Sequence, residues 1–476
     1  MICYLLVCIK LHSEKAPWVD ECYTFFGVTH GTFSDFLNSM LSGINFSPPL
    51  YFLFNFIAQL IIPWSIEILR LESVIWTIFG VILTFLVCRN AFGNSAAIIS
   101  VLLVIPQSSL LLQQSLEARH YTMFFACGSW ALYELNRYKL QKQNLKGHVL
   151  LCSSHLSLCL VHYLGIIFSG FLVLALFLVN TGIPITKRVP YSIYTSWCVS
   201  ALTYIFMLYK QSSHLNTWYK QNDLNSLLSV YNDSIFILVL TLPAIFFILS
   251  YKVKKTLNSG TPTKHSILII TSLLWFATPL TFWILSHCSD YNLFKDRYFI
   301  PKEAALVVIV AFIINKFQAK FYISKRSILP TGAIMLFSLF IITIEFKRSL
   351  FAMGPDRNFH HWMIVTDKFV STDIPVVFTE DPFFFPNAYR SPKNCFFLIN
   401  NPELAEVYEK FSGRINIINN KNLKNFESFF LVSDSDFNTN EIDANFIQQD
   451  SVVLQNGLKT YITRFKSVMS SNDGKI

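Results

Sequence analysis

Asp20 and Glu21 stand side by side in WVDECYTF, near the start of a chain otherwise dominated by long apolar runs. Charged groups near membrane depth are costly, so each one found there needs a partner or a task. Further on come Arg70 in SIEILRLES, Glu117, Arg119 and Tyr121 in QSLEARHY, His162 and Tyr163 in LVHYLG, and Lys295, Arg297 and Tyr298 in LFKDRY. Carboxylates beside several cations suit a reaction in which a base takes the proton of a hydroxyl while the cations hold a phosphate leaving group. Each residue also has an inert reading. Asp20 and Glu21 suit a helix N-cap or a solvated loop start, and Glu117 with Arg119 suits an ion pair at a helix end. Arg70 and Arg297 suit side chains that snorkel to headgroups, and His162 suits a hydrogen-bonded structural histidine. His360 and His361 in NFHHW lack a second pair of ligands, so no metal is expected.

These residues need elements that bring them to one surface. Of the 476 residues, 53% are hydrophobic and only 14% charged, against about 25% charge in ordinary soluble domains. Apolar runs of helix-spanning length are drawn at 66–88, 94–113, 119–135, 149–162, 165–180, 191–209, 232–251, 266–287, 298–315 and 327–346. Only helices satisfy their own backbone within a bilayer, so this region is all-α. Basic residues gather in alternate short loops: Arg89, Arg137 to Lys146, Lys187 with Arg188, Lys252 to Lys264, and Lys316 to Arg326. That side is therefore cytosolic, and the formal charge of +9 does not signal nucleic acid. The run from Pro48 to Trp64 is bounded by prolines and, at about 25 Å, is too short to cross, so it is expected to lie along the outer surface. The stretch 149–180 is read as two short helices with His162 and Tyr163 at the outer turn.

The expected architecture is an all-α polytopic membrane domain of about 10–11 transmembrane helices over 1–346, with a first outer loop at 10–65. A small α/β extramembrane domain is expected over 347–476, from the β-type runs IPVVFT, CFFLIN and SFFLVS and the helical PELAEVYEKF. MICYLLVCI reads as the tail end of a first transmembrane helix, shortened in this sequence. Ten cysteines occur without CxxC spacing, several inside apolar runs, so neither a disulfide framework nor a zinc site is read. Sequons at Asn45 and Asn232 fall on or near the outer side and give mild support for a lumenal compartment. Walker, GxGxxG and HExxH motifs are all absent.

The order of the pieces, from the acidic pair through SPPLYFLFNFI, EARHY and LVHYLG to DRYFIPKEAAL, resembles the membrane glycosyltransferases of the GT-C superfamily. The resemblance covers 18 to about 310 and is nearest to the family 39-like, PMT-type enzymes that use polyprenyl-phosphate sugars. It implies inverting transfer of a sugar from a dolichyl- or polyprenyl-phosphate carrier to a protein, lipid or glycan hydroxyl on the extracytosolic side. No cofactor beyond the lipid-linked donor is implied. Asp20 takes the position of the general base, with Glu21 its neighbour. Glu117, Arg119, Tyr121, His162, Tyr163, Arg297 and Tyr298 take donor-binding positions, with Arg70 and Lys295 as further phosphate partners. The HPDE signature of the mannosyltransferase branch is not matched, so the sugar stays open. The endoplasmic reticulum membrane with a lumenal site is the expected location, the plasma membrane the alternative. Two other readings remain: a transporter or lipid flippase, which calls for inverted repeats and broken Gly-rich helices not seen here, and a catalytically inactive GT-C relative.

Overall fold

The computed structural model describes residues 8–12, 15–137, 145–180, 188–211, 223–231, 264–288, 294–321, 374–379, 381–390, 392–412, 415–423, 425–433, 446–455 and 459–467. The runs at 232–251 and 327–346, Asn232, and His360 with His361 lie outside them. The outer loop forms three short helices, α1 (Val19–Val28), α2 (Phe33–Leu41) and α3 (Leu50–Ala58). At nine residues α3 measures about 13 Å, far below a membrane thickness, as its flanking prolines led us to expect. Leu60 and Ile61 just beyond it are 76% and 86% exposed, an apolar lip suited to lipid contact.

The membrane region begins with α4 (Ile66–Phe92), followed by α5 (Asn94–Val104), α6 (Ser109–Ser115), α7 (Tyr121–Arg137), α8 (Leu145–Val161), α9 (Gly165–Val179), α10 (Tyr191–Gln211), α11 (Lys264–Cys288) and α12 (Pro301–Phe321). The chain is a multi-pass membrane protein. Among the described residues, α4 and the stretch His265–Cys288 are long and apolar enough to cross a bilayer alone. The run 94–113 is not one straight span: α5 and α6 meet at a 70° bend. A 3₁₀ turn, Ile105–Gln107, occupies the break, where Pro106 has no N–H to continue the helical ladder.

Helix packing follows side-chain size. Gly80 of α4 lies against the Phe125 ring of α7, at a distance where a Cβ would overlap it. One turn further, the Thr84 hydroxyl donates to Ser129 Oγ at 2.9 Å. Small residues and hydroxyl bridges replace the hydrophobic drive that helices in lipid lack. Helix α12 is buried on all sides from Ala304 to Ala311, which puts it in the middle of the bundle. The turn between α8 and α9 is closed by Gly165, whose N–H donates to the His162 carbonyl at 2.7 Å. A side chain there would strike the Leu158 carbonyl.

The C-terminal region holds a six-stranded sheet of order β3-β2-β1-β4-β6-β5. Its strands are β1 (Val376–Phe378), β2 (Cys395–Leu398), β3 (Ile417–Ile418), β4 (Ser428–Ser433), β5 (Phe446–Gln455) and β6 (Lys459–Ser467). The first four are joined in parallel, while β6 runs antiparallel to both β4 and β5. Helices α13 (Asp381–Arg390) and α14 (Pro402–Phe411) supply the aromatic side chains that hold α1 in place. Tyr23 packs edge-on against Phe385 at 4.9 Å, and Phe25 against Tyr389 at 5.0 Å. The Tyr389 hydroxyl accepts from the Ile66 N–H at 3.2 Å and donates to Glu67 at 3.3 Å, tying the sheet unit to the start of α4. Helix α1 is thus clamped between two parts of the fold, and it is the helix that carries Asp20 and Glu21.

Candidate active site

The adjacent acids of α1 have opposite surroundings. Glu21 is fully buried. Its carboxylate accepts from Arg70 Nε at 2.8 Å and from a terminal nitrogen of the same guanidinium at 2.6 Å, from the Ala118 N–H at 3.0 Å and from the Trp18 N–H at 3.3 Å. Lys15 Nζ stands 3.5 Å away. The last of these backbone bonds is half of a capping box, so the helix-cap reading belongs to Glu21. Every lone pair that a reaction would use is already committed. Glu21, expected beside the base, is structural.

Arg70 is its counterpart. Its remaining N–H groups donate to the carbonyls of His12, Lys15 and Ala16 at 3.2, 2.7 and 3.0 Å, so all five donors of the guanidinium are engaged and it is only 1% exposed. It has no donor left for a phosphate, which corrects the expectation placed on it. Burial alone would raise the Glu21 carboxyl, but Arg70 and then Lys15 outweigh it and hold it at about 2, against an ordinary value of 4.5. A group whose native value is depressed stabilises the fold fully above its ordinary value and loses that contribution as pH falls toward the native one. Thermal unfolding of the detergent-solubilised protein should therefore show a falling melting temperature from about pH 4.5 down toward about pH 2. A profile in Glu21→Gln with the same acid limb as the parent would remove Glu21 from this account.

Asp20 points the other way, one fifth exposed, and its Oδ2 accepts from Arg297 at 3.0 Å. Arg297 belongs to the 3₁₀ turn Asp296–Phe299 that leads into α12, far along the chain. Its guanidinium lies 5.3 Å from the centre of the Tyr121 ring and 5.9 Å from that of Trp18. Arg119 reaches the same place from the turn before α7, donating to the Asp20 carbonyl at 3.0 Å and to Asn45 Oδ1 at 3.3 Å. Both arginines keep a buried Nε that meets no protein acceptor. Two cations with unspent donors beside a carboxylate are groups able to hold an anion next to an acid.

An aromatic wall closes the same space. His162 stacks on Phe124 at 4.8 Å and stands 4.9 Å from Tyr298, 5.3 Å from His120 and 6.0 Å from Tyr121. Its Nδ1 accepts from the Leu164 N–H at 3.1 Å, which leaves Nε2 to carry the proton of the neutral ring. Tyr163 does not join this wall. Neighbours in a tight turn face apart, and its hydroxyl donates to Gln211 at 3.1 Å while its ring meets Phe46 at 5.1 Å. Lys295 heads the 3₁₀ turn, half-buried, and its carbonyl accepts from the Tyr298 N–H at 3.0 Å. Glu117 and Arg119 do not pair with each other. Glu117 instead approaches the buried Lys15 at 3.9 Å and keeps one carboxylate oxygen without a partner. Burial raises its carboxyl above the ordinary range despite Lys15.

Asn45 is 2% exposed, and its amide donates to the Tyr23 carbonyl at 2.7 Å. Held between Tyr23 and Arg119, it is a strut of this site and is not presented for glycan attachment, which corrects the sequon reading. Two residues that the sequence reading passed over complete the picture. Lys15 lies between Glu21 and Glu117 and donates to the Leu116 carbonyl at 3.1 Å. His120, inside the EARHY element itself, is 2% exposed with both ring nitrogens unpartnered. A histidine flanked by Arg119 and Tyr121 was the available signal for it.

No protein-family model matches the sequence, and no curated protein sequence matches it. Solved structures do. The crystal structure of ArnT from Cupriavidus metallidurans bound to undecaprenyl phosphate superposes with a TM-score of 0.60 at 10% identity, over 97% of this chain and 97% of that one. The same protein in the apo state gives 0.61 at 10% identity, over 97% and 96%. At that identity the likeness speaks to fold, and across nearly the whole chain that fold is the GT-C fold expected from the order of the sequence elements.

Proposed function

We propose that this protein transfers a glycosyl group from a polyprenyl-phosphate carrier to an acceptor hydroxyl on the extracytosolic side of its membrane, with inversion. The observation that carries the reading is the meeting of two arginines at Asp20, Arg297 on its carboxylate and Arg119 on its backbone carbonyl, each with an Nε donor that has no protein acceptor. The full-length similarity to an ArnT structure that holds undecaprenyl phosphate supports a lipid phosphate as the anion.

In this reading the phosphate of the donor lies on Arg119 and Arg297, drawing Arg297 from Asp20 toward the incoming charge. Asp20 takes the proton of the acceptor hydroxyl. The acceptor oxygen forms its bond to the anomeric carbon from the face opposite the phosphate, and the electron pair of the broken C–O bond leaves on a phosphate oxygen. The guanidinium groups stabilise that developing charge, which makes Arg119 and Arg297 transition-state ligands. Tyr121, His162 and Tyr298 wall off water from the reacting carbon. The reaction asks for a lipid-linked donor and for a protein, lipid or glycan that bears the acceptor hydroxyl. The site is proposed to face the extracytosolic side, of the endoplasmic reticulum membrane or, as the alternative, of the plasma membrane.

The test is direct. Purified protein in liposomes is given labelled polyprenyl-phosphate sugars of several kinds together with acceptor-containing membrane extract, and label transfer with release of polyprenyl phosphate is followed. Transfer from at least one donor is expected. Absence of transfer from every donor, with the protein folded by its melting profile, would falsify the enzymatic reading in favour of an inactive relative.

A further inference from the structure

Beyond the guanidinium groups, a second set of buried polar atoms lacks partners: Glu72 Oε2, Tyr51 Oη, Asn55 Oδ1 and both ring nitrogens of His120. Tyr51 and Asn55 are fully buried, His120 is 2% exposed and Glu72 7%. They come from three elements. Tyr51 and Asn55 lie one turn apart on a single face of α3, Glu72 lies in the second turn of α4, and His120 immediately precedes α7. The Tyr51 hydroxyl and the Asn55 side chain interact with the Glu72 carboxylate without reaching ordinary hydrogen-bond geometry, and the other Glu72 oxygen accepts from the Trp76 indole at 2.6 Å.

The set runs on into the candidate active site. The Tyr51 ring is 6.1 Å from that of His120, which is 4.3 Å from Tyr121, the ring beside Arg297. Buried polar atoms are nearly always paired, and a cluster left open beside an anion site calls for a ligand that both donates and accepts. Neither a lipid tail nor a second phosphate does both. A ring bearing several hydroxyl groups does.

We propose that Glu72, Tyr51, Asn55 and His120 form the subsite for the hydroxyl groups of the glycosyl ring whose phosphate lies on Arg119 and Arg297. Glu72 and Asn55 Oδ1 accept from hydroxyls, while Tyr51 and His120 serve as donor or acceptor as the ring requires. This rests on the function proposed above and makes it more specific, since these four residues select the sugar.

Binding separates the two claims. The purified full chain is titrated with polyprenyl phosphate alone and with the same lipid bearing glucose, mannose, galactose or a pentose. At least one glycosylated lipid should bind about tenfold tighter than the bare phosphate, the ratio that one good hydrogen bond provides. Glu72→Gln should remove that preference while affinity for the bare phosphate stays unchanged. Tyr51→Phe, which deletes one hydroxyl and leaves the ring, is the second variant should Glu72→Gln fold poorly. A preference that survives both changes, or bare-phosphate affinity that falls in step with it, overturns the subsite. So does a parent protein that binds the bare phosphate yet prefers no sugar, the result expected if water alone fills the cluster. A parent that binds no lipid phosphate at all sinks the proposed function and the subsite together.

Discussion

Asp20→Asn is expected to cut sugar transfer by about 10²- to 10⁴-fold, the usual worth of general base catalysis. The substitution keeps size and shape. Its amide oxygen still accepts from Arg297, and the Asp20 backbone carbonyl that holds Arg119 is untouched. What disappears is the capacity to take a proton. The loss should therefore fall on kcat, with KM for the lipid donor within a few-fold of the parent value, because the phosphate contacts are assigned to Arg119 and Arg297. Arg297→Ala should instead raise KM as well as lower kcat. Initial rates over a range of donor concentrations check both. Turnover by Asp20→Asn within twofold of the parent would take the base away from Asp20.

The second large effect is on folding, one residue further along. Glu21→Ala leaves Arg70 buried without its carboxylate, and breaking a fully buried ion pair by removing one partner costs about 3–5 kcal/mol. The damage should spread, since the same carboxylate holds the Ala118 N–H beside Arg119 and the capping N–H of α1. A sharp fall in melting temperature and in yield of folded protein is expected. Much of it should return in the double variant Glu21→Leu with Arg70→Met, which removes both charges and refills the space. A fluorescence-detected thermal melt in detergent measures all three proteins. Should Glu21→Ala melt with the parent while losing only activity, the acid would be catalytic after all.

Much of the scaffold could be read from composition and order alone. Among the described residues the apolar runs marked helices, the prolines around α3 marked a short one, and IPVVFT, CFFLIN and SFFLVS marked β1, β2 and β4. These signals are local: bilayer thickness and strand alternation act on a few consecutive residues. Where a local signal was weak, the reading stopped short. The bend at Pro106 and the pairing of β5 with β6 depend on what each segment packs against.

What the sequence could not divide were neighbours. Successive residues of a helix point about 100° apart, so a pair such as Asp20 and Glu21 cannot face the same partner. Which acid meets solvent and which is buried depends on Arg70, 49 positions later, and on Arg297, 277 positions later. The same holds for His162, turned into the aromatic wall, against Tyr163, turned toward Gln211, and for the open cluster around Glu72. Residue types and their order raised the expectation that acids and cations collect on one side of a membrane domain. Only the tertiary packing decided which of them are spent on holding it together, because a buried charge must find its partner wherever in the chain that partner lies.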